Sequence, residues 1–251
     1  MAKWNKFPHD QKAITNAGDA LKKNWDALHK GDNEPYPKDA AMQEAWRQFH
    51  AGNFEAATKS GGTVAIKATS IYATHLEPKA AVKVKHFQDA MAMAEALIKA
   101  EPKNPNAHYQ YAYAAGRYSQ SISIIKALKE GYGGKIKSAL ETTLKLDAKH
   151  ADAHTALGAY HAEIIDKIGG MVGKLTYGAS KDAAVEHYEK AIKLNPTSPI
   201  AHIEYANGLL MLYGDKEEDK AVKLYEKATK MKAKEAMDVL DIAMANDELE
   251  D

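Results

Sequence analysis

The sequence contains no cysteine among its 251 residues. That excludes a disulfide framework, thiolate catalysis and thiolate metal sites, and it is typical of a reducing compartment. No apolar run approaches the roughly 18 residues that a membrane-spanning helix requires, and the first 25 residues lack the apolar region of a secretory signal. We therefore predict a cytoplasmic protein with no membrane span; a removed leader replaced by an initiator methionine stays an alternative.

An excess of one charge is also missing, because 34 basic residues balance 34 acidic ones. A balanced chain has no global field that favours nucleic acid or an anionic membrane, so we expect no nucleic-acid partner. The sequence has neither a Gly-x-Ser-x-Gly elbow nor a dinucleotide fingerprint. Its glycine-rich stretch 169–178 lacks the Ser or Thr that a phosphate loop places after Gly-Lys. These absences predict a protein that is not an enzyme, with no catalytic residue and no cofactor.

Alanine is abundant, runs of β-branched residues are few, and glycine and proline are concentrated at breaks between segments, which predicts an all-α fold. One dipeptide, Ala-His, recurs in a constant register, with His108, His154 and His202 lying 46 and then 48 residues apart. Each follows the end of a helical run by the same offset. Self-similarity at a near-constant period predicts a repeat architecture.

The periodicity of apolar residues divides the chain into helical hairpins. Three hairpins are predicted over 104–146, 151–194 and 199–231, and a last helix over about 234–245 covers the open end. Upstream, one amphipathic helix is predicted from Asp10 to His29, with Ala13 and Leu21 on its apolar face. We divide the chain into an N-terminal helical extension, 1–79, that carries a loose hairpin, and a repeat region, 80–251.

The stretch "AAVEHYEKAIKLNP" (183–196) carries a family pattern, with Ala184, Tyr188, Ala191 and Pro196 at fixed offsets behind Leu157-Gly158. It resembles the second helix of the tetratricopeptide repeat. The longer spacing is similar to a divergent group that includes the T component of TRAP-type transporters and the regulator-of-microtubule-dynamics proteins. The resemblance implies a right-handed α-solenoid of elongated hairpins, with an N-terminal helical extension and a C-terminal capping helix.

Such solenoids bind partners along a concave groove more often than they catalyse. If Tyr111 takes the core position, Tyr109 and Tyr113 face that groove as an aromatic pair, and Asn207 provides a polar contact. We therefore predict a non-enzymatic scaffold that binds a peptide or partner protein. The alternative is a carrier of a small hydrophobic ligand, held in a pocket between the repeats and their apolar insertions.

The repeated histidines allow two interpretations. His108, His154 and His202 either line the groove or replace the core tryptophan of the repeat in a structural role. A third and weaker hypothesis is a metal-dependent activity of His150, His154 and His161. Because no Glu follows His150 as in a His-Glu-x-x-His site, we predict no metal site.

Overall fold

The computed structural model describes residues 4–12 and 14–250, which are helical almost throughout and contain no strand. The first six helices are α1 (Ala20–Leu28), α2 (Ala40–His50), α3 (Phe54–Ala57), α4 (Gly62–His75), α5 (Ala80–Ala100) and α6 (Pro105–Ile122). The remaining helices are α7 (Ile124–Lys129), α8 (Tyr132–Leu146), α9 (Ala151–Ile168), α10 (Gly170–Tyr177), α11 (Lys181–Leu194), α12 (Pro199–Tyr213), α13 (Glu218–Thr229) and α14 (Ala236–Glu250).

The repeat period is visible in how three helices begin. Asn104 caps α6, His150 caps α9 and Ser198 caps α12, and in each case the side chain accepts a hydrogen bond from a backbone N–H of the first helical turn. Such caps satisfy donors that have no partner within the helix. The caps lie 46 and 48 residues apart, so the spacing of the Ala-His pairs reflects the start of each first helix.

The helices stack in series, each packing mainly on its neighbours along the chain. The predicted hairpins are present as α6 with α8, α9 with α11, and α12 with α13, and α4 and α5 continue the stack upstream. This confirms the all-α, solenoid-like fold. We refer to α4, α6, α9 and α12 as the inner helices, because they share one side of the stack.

Small residues at the helix crossings determine how closely the repeats approach. The ring of Tyr188 lies between α9 and α12, where a Cβ atom on Gly158 or on Gly208 would fall 2.7 or 2.5 Å from it. Ala184 and Ala191, one turn away on either side, are fully buried. The aromatic side chain therefore fills space that only glycine leaves open.

The N-terminal helix is shorter than predicted. Residues 10–12 and 14–19 are not helical, and the α-helix begins at Ala20. Asn16 and Gly18 adopt positive φ angles of 44° and 57°, a conformation that breaks a right-handed helix. Ile14 and Leu21 are nevertheless buried. The apolar residues of this segment therefore pack into the core, although they do not belong to one continuous helix. The predicted contribution of Ala13 lies outside the described residues.

The segments between the paired helices form short helices rather than open loops. The predicted first helix of repeat one ends at Ile122, because Ser123 has a φ of 93°, and α7 follows. The glycine-rich stretch forms α10, which begins after Gly169 (φ 81°) and ends at Gly178 (φ 65°). These two insertions lengthen the first two repeats to the observed spacings of 46 and 48 residues.

The last helix is longer than predicted and has a different position. Instead of only covering the open end, α14 packs on α12 and α13 and also reaches α2. Ala236 and Leu240 belong to the same core cluster as Trp25, Trp46 and Phe49. The C-terminus of the chain thus completes the core of its N-terminus.

The two-part division of the chain at residue 79 remains a prediction. Ile66 and Ala73, which precede that boundary, pack in one cluster with residues of α5 and α6. Among the helices of the described ranges, none is both long and apolar enough to cross a membrane.

Candidate functional site

A loop of eight residues, 29–36, crosses the inner helices near their N-terminal ends. Glu34 accepts hydrogen bonds from Asn106 of α6 (2.5 Å) and from Thr63 of α4 (2.8 Å). The backbone carbonyl of Gly31 accepts a bond from the N–H of Asp152 in α9 (3.1 Å). Any side chain at Gly31 would overlap the Asp152 carboxylate, so the loop is held against the inner helices by contacts that tolerate little change.

Six carboxyl groups lie between this loop, α4, α9 and the start of α14, and we call them the acid cluster: the buried Asp32, Glu235, Asp238 and Asp241 and the half-buried Glu34 and Asp152. Lys67 of α4 lies among them, with its Nζ 2.7 Å from Asp32 Oδ2. Burial alone would raise the pKa of Asp32, but the charge of Lys67 and the hydrogen bond from His29 hold it well below its usual range. Asp32 and Lys67 therefore form a buried ion pair.

The other carboxyl groups respond differently to burial. Desolvation, reinforced by the negative charge of Asp32, raises the pKa values of Glu34 and Asp152 to about 7. Burial and the charge of Glu235 likewise raise the pKa of Asp238 to about 7. Because one lysine cannot neutralise six carboxylates in a low-dielectric site, several of them favour the protonated form near neutral pH.

The acid cluster connects α14 to the N-terminal helices. Glu235 Oε2 lies 2.5 Å from Nδ1 of His50 in α2, and both side chains are buried. Burial would raise the pKa of Glu235, but His50 lowers it below the ordinary value. Farther along α14, Asp241 lies 3.5 Å from His75, whose pKa burial lowers to about 3. These contacts, 166 or more residues apart in sequence, hold the chain ends together.

Beyond the loop and α14, a cavity remains between the inner helices, with about 130 Å³ of internal space behind an open mouth. Most of its wall comes from α6 and α9, and its apolar part includes Leu128 of α7, Ile136 of α8 and Ile164 of α9. The side chains of Met237 and Asp241 show that α14 forms part of the wall. The inner face therefore forms a partly open cavity that α14 helps to bound.

One end of the cavity is polar. Arg117 lies with its guanidinium carbon 5.4 Å from the ring centre of Tyr113 and donates a hydrogen bond of 2.8 Å to Glu204. Two buried wall atoms, Asp241 Oδ2 and the hydroxyl oxygen of Tyr160, have no hydrogen-bond partner among the described residues. Buried polar atoms without partners are costly, so these two favour an occupant that brings polar groups of its own.

The structure brings the two predicted tyrosines together and separates Asn207 from them. Tyr109 and Tyr113 line the cavity, with ring centres 6.3 Å apart. Asn207 faces α13, where its side-chain oxygen accepts a hydrogen bond from Tyr225. On α12 it is Ile200 and Glu204 that line the cavity, because α13 and α14 cover the face that carries Ile203 and Asn207.

The three repeated histidines lie away from the cavity wall. His108 bonds through Nε2 to the carbonyl of Pro102 (3.0 Å), and His202 bonds through Nδ1 to the carbonyl of Ser198 (2.9 Å). His154 contacts His187 of α11, with 2.8 Å between their Nδ1 atoms. His154 and His202 interact within their own or the adjacent helix, and His108 bonds to the turn before α6, so the choice between a structural and a binding role stays a prediction.

The histidines of the metal hypothesis are used in packing. His150 caps α9 and its Nε2 lies 2.8 Å from Asn106 Oδ1. Burial lowers the pKa values of His150 and His161 to about 4, so both are neutral at pH 7. Among residues 4–12 and 14–250, no group of three or more His, Asp or Glu side chains is arranged to hold a metal ion.

Several residues of this region did not stand out in the sequence. Lys67 could have been recognised in the sequence, because it is the one charged residue in the otherwise uncharged stretch Thr63–Ala73, all of which is buried in α4. A buried lysine requires a carboxylate partner. Asp238 and Asp241 carried no such signal, because acidic residues on a terminal helix ordinarily face solvent.

One comparison with known proteins identifies a family. A family model described as "Regulator of microtubule dynamics protein 1-3" matches residues 23–250 of the chain, a range that includes the loop, the inner helices and α14. The search of curated protein sequences found no match.

Proposed function

Because the chain belongs to the regulator of microtubule dynamics protein 1-3 family, we propose that it is a non-enzymatic binding protein whose partner inserts a short segment into the cavity. The family description makes microtubules and the proteins bound to them the first partner class to test. The observation that carries the proposal is the cavity itself, with Tyr109, Tyr113 and Arg117 at one end and an apolar wall at the other. The proposed place of action is the cytoplasm.

The shape of the cavity limits what can bind. Loop 29–36 and α14 already lie across the inner helices, so a partner cannot lay a long helix along them as in an open solenoid groove. A turn or chain end that inserts one apolar side chain fits the internal space of about 130 Å³. The apolar side chains would contact Ile136 and Ile164, and backbone or side-chain polar groups would pair with Asp241 and Tyr160.

Preorganisation supports this assignment. Tyr109 is 8% exposed, and Arg117 is held by Glu204, so these walls lose little freedom when a ligand binds. Rigid aromatic and arginine side chains in desolvated pockets supply much of the free energy in protein interfaces.

The test is site-specific photo-crosslinking on the full chain. A benzophenone amino acid replaces Tyr113 at the cavity and, in a control protein, Val222, which is 39% exposed on α13. Each protein is irradiated with polymerised tubulin and with a microtubule-associated protein fraction. We expect one defined adduct from position 113, none from position 222, and loss of the adduct when Ala159→Phe narrows the cavity. Equal labelling from both positions would reject the cavity as the binding site.

A second candidate function is carriage of a small amphipathic ligand. It is favoured by the position of α14 in the cavity wall and by the hydroxyl oxygen of Tyr160, which has no hydrogen-bond partner among the described residues and lies among apolar wall residues such as Ile164 and Leu128. Native mass spectrometry of the purified protein distinguishes the two functions. A retained small-molecule adduct that disappears in Ala159→Phe supports the carrier, whereas an adduct-free spectrum together with a position-113 protein crosslink supports the scaffold.

A further inference from the structure

The two insertions between paired helices expose apolar side chains to an unusual degree. Leu175 and Met171 of α10 are 83% and 79% exposed, and Val172 and Ile125 are 52% and 50% exposed. The other large apolar side chains that reach the surface of the described residues are at most 39% exposed. We call the four residues on α7 and α10 the insertion face.

The insertion face is one surface, because α7 and α10 both pack against the beginning of α8. A Cβ atom on Gly133 would meet both Leu128 of α7 and Tyr177 of α10 within 2.8 Å, so these side chains converge on one point. Lys137 of α8 donates a hydrogen bond of 2.9 Å to the carbonyl of Tyr177. Both short helices therefore project from the same end of the hairpins.

The orientation of α10 separates its buried and exposed sides. Gly173 packs inward against Ile164, where a Cβ would lie 3.0 Å from the isoleucine side chain. Met171, Val172 and Leu175 lie on the opposite side by helical periodicity, and Lys174 flanks them. An apolar face with lysine at its edge is the arrangement by which short helices lie in a lipid–water interface.

The local charge agrees with that arrangement although the whole chain is neutral. Residues 124–137 and 166–178 together contain six lysines and two acidic residues. One of the acids, Asp166, is paired with Lys167 at 2.7 Å. Lys126, Lys129 and Lys174 are exposed beside the apolar side chains. A partner that complements this surface has an apolar interior and negative charges at its surface.

We propose that the insertion face docks this protein onto an anionic phospholipid bilayer, with Met171 and Leu175 inserted below the headgroups and the lysines at the phosphate level. Aliphatic side chains without an aromatic anchor fit a fluid lipid surface better than the shaped pocket of a protein partner. The proposal does not depend on what occupies the cavity. Docking would place α7, whose inner side lines the cavity, next to the membrane.

The binding test uses the full chain and vesicles of phosphatidylcholine with or without phosphatidylserine at about a 3:1 ratio. We expect sedimentation with the anionic vesicles only. Replacing Lys126, Lys129 and Lys174 by Glu should weaken binding by more than about 100-fold, since the loss of each lysine near an anionic surface costs roughly fivefold and each new carboxylate adds repulsion. Met171→Ser with Leu175→Ser should weaken it at least about tenfold.

Matched controls carry the same changes elsewhere. Lys103, Lys149 and Lys193 are exposed at the opposite end of the hairpins, and their replacement by Glu should alter binding less than about twofold. Met211→Ser with Val222→Ser, at positions 38% and 39% exposed, should behave like the wild type. Failure of the wild type to bind anionic vesicles, or equal losses in the controls, would overturn the proposal.

A label decides the question without removing any charge. Because the chain lacks cysteine, Leu175→Cys carries a single environment-sensitive fluorophore, and Val222→Cys provides the control. We expect a blue shift at position 175 with anionic vesicles alone. A shift that instead grows with protein concentration in the absence of vesicles would show a second copy on the insertion face and reject the membrane.

Discussion

Lys67 holds its charge inside the protein, where its side chain is 6% exposed and that of Asp32 is 3% exposed. Removing one partner of a buried ion pair leaves the other charge unpaired. We therefore expect Lys67→Met to lower the free energy of unfolding by ~3–5 kcal/mol in urea titrations.

The surface supplies the control for this prediction. Lys85 and Asp89 lie 2.6 Å apart, but their side chains are 67% and 48% exposed. Because exposed pairs contribute little, Lys85→Met should change the same free energy by less than about 0.5 kcal/mol. Equal effects of the two substitutions would contradict the buried pair.

Asp238 makes stability depend on pH. Burial raises its pKa to about 7, so the folded state holds a proton that the unfolded state releases near pH 4. Stability from this group is complete below pH 4 and is lost as the pH rises to about 7. Asp238→Asn mimics the protonated form, and it should raise the free energy of unfolding at pH 8 by about 1 kcal/mol or more.

The pH dependence of that gain is the decisive measurement. The gain should shrink below pH 7 and fall under about 0.5 kcal/mol at pH 4, because the carboxyl group is then protonated in the folded state and about half protonated in the unfolded state. Buried His150, with a pKa lowered to about 4, acts in the opposite direction between pH 4 and 6.5, so the variant must be compared with the wild type at each pH. A gain that is the same at pH 4 and pH 8 would exclude the raised pKa.

The repeat crossing is a feature of whole elements, since Tyr188 of α11 packs against Gly158 of α9 and Gly208 of α12. Gly158→Ala would place a Cβ atom 2.7 Å from the tyrosine ring. We expect the overpacking to lower the free energy of unfolding by ~1–3 kcal/mol, despite the better helix propensity of alanine.

Gly116 is the matched control, because it also lies within a helix but a Cβ there would have nothing within 4 Å. Gly116→Ala should stabilise the protein by up to about 1 kcal/mol in the same denaturation experiment. If both substitutions stabilise the protein, the crossing can accommodate a Cβ atom at Gly158, and the predicted overpacking is wrong.

The elements were predictable where local pattern determines them. Leu157-Gly158, Ala184, Tyr188 and Ala191 marked the crossing correctly. The pattern failed between Asp10 and Asp19, where buried Ile14 lies in a turn. It also gave no sign of α10, which is helical despite its glycines and packs its inner face on Ile164.

At the scale of the whole molecule, the structure differs from an open solenoid. Glu235 contacts His50, and Lys234 donates to the carbonyl of Ala27, across 185 and 207 residues of sequence. Helical periodicity shows which face of a helix is apolar, but it cannot show that α14 packs against the far end of the chain. Only Tyr109 and Tyr113 of the predicted groove residues therefore line the cavity.

The central claim is that α14 lies across the inner helices and completes the N-terminal core, which leaves a cavity in place of a groove. Hydrogen exchange of the full chain tests it most directly. We predict that amides of α14 up to Ala245 are protected as well as those of α2, and that Leu240→Ala reduces protection in both helices together while α8 is unchanged. Rapid exchange of α14 in the wild type, with α2 still protected, would contradict the claim.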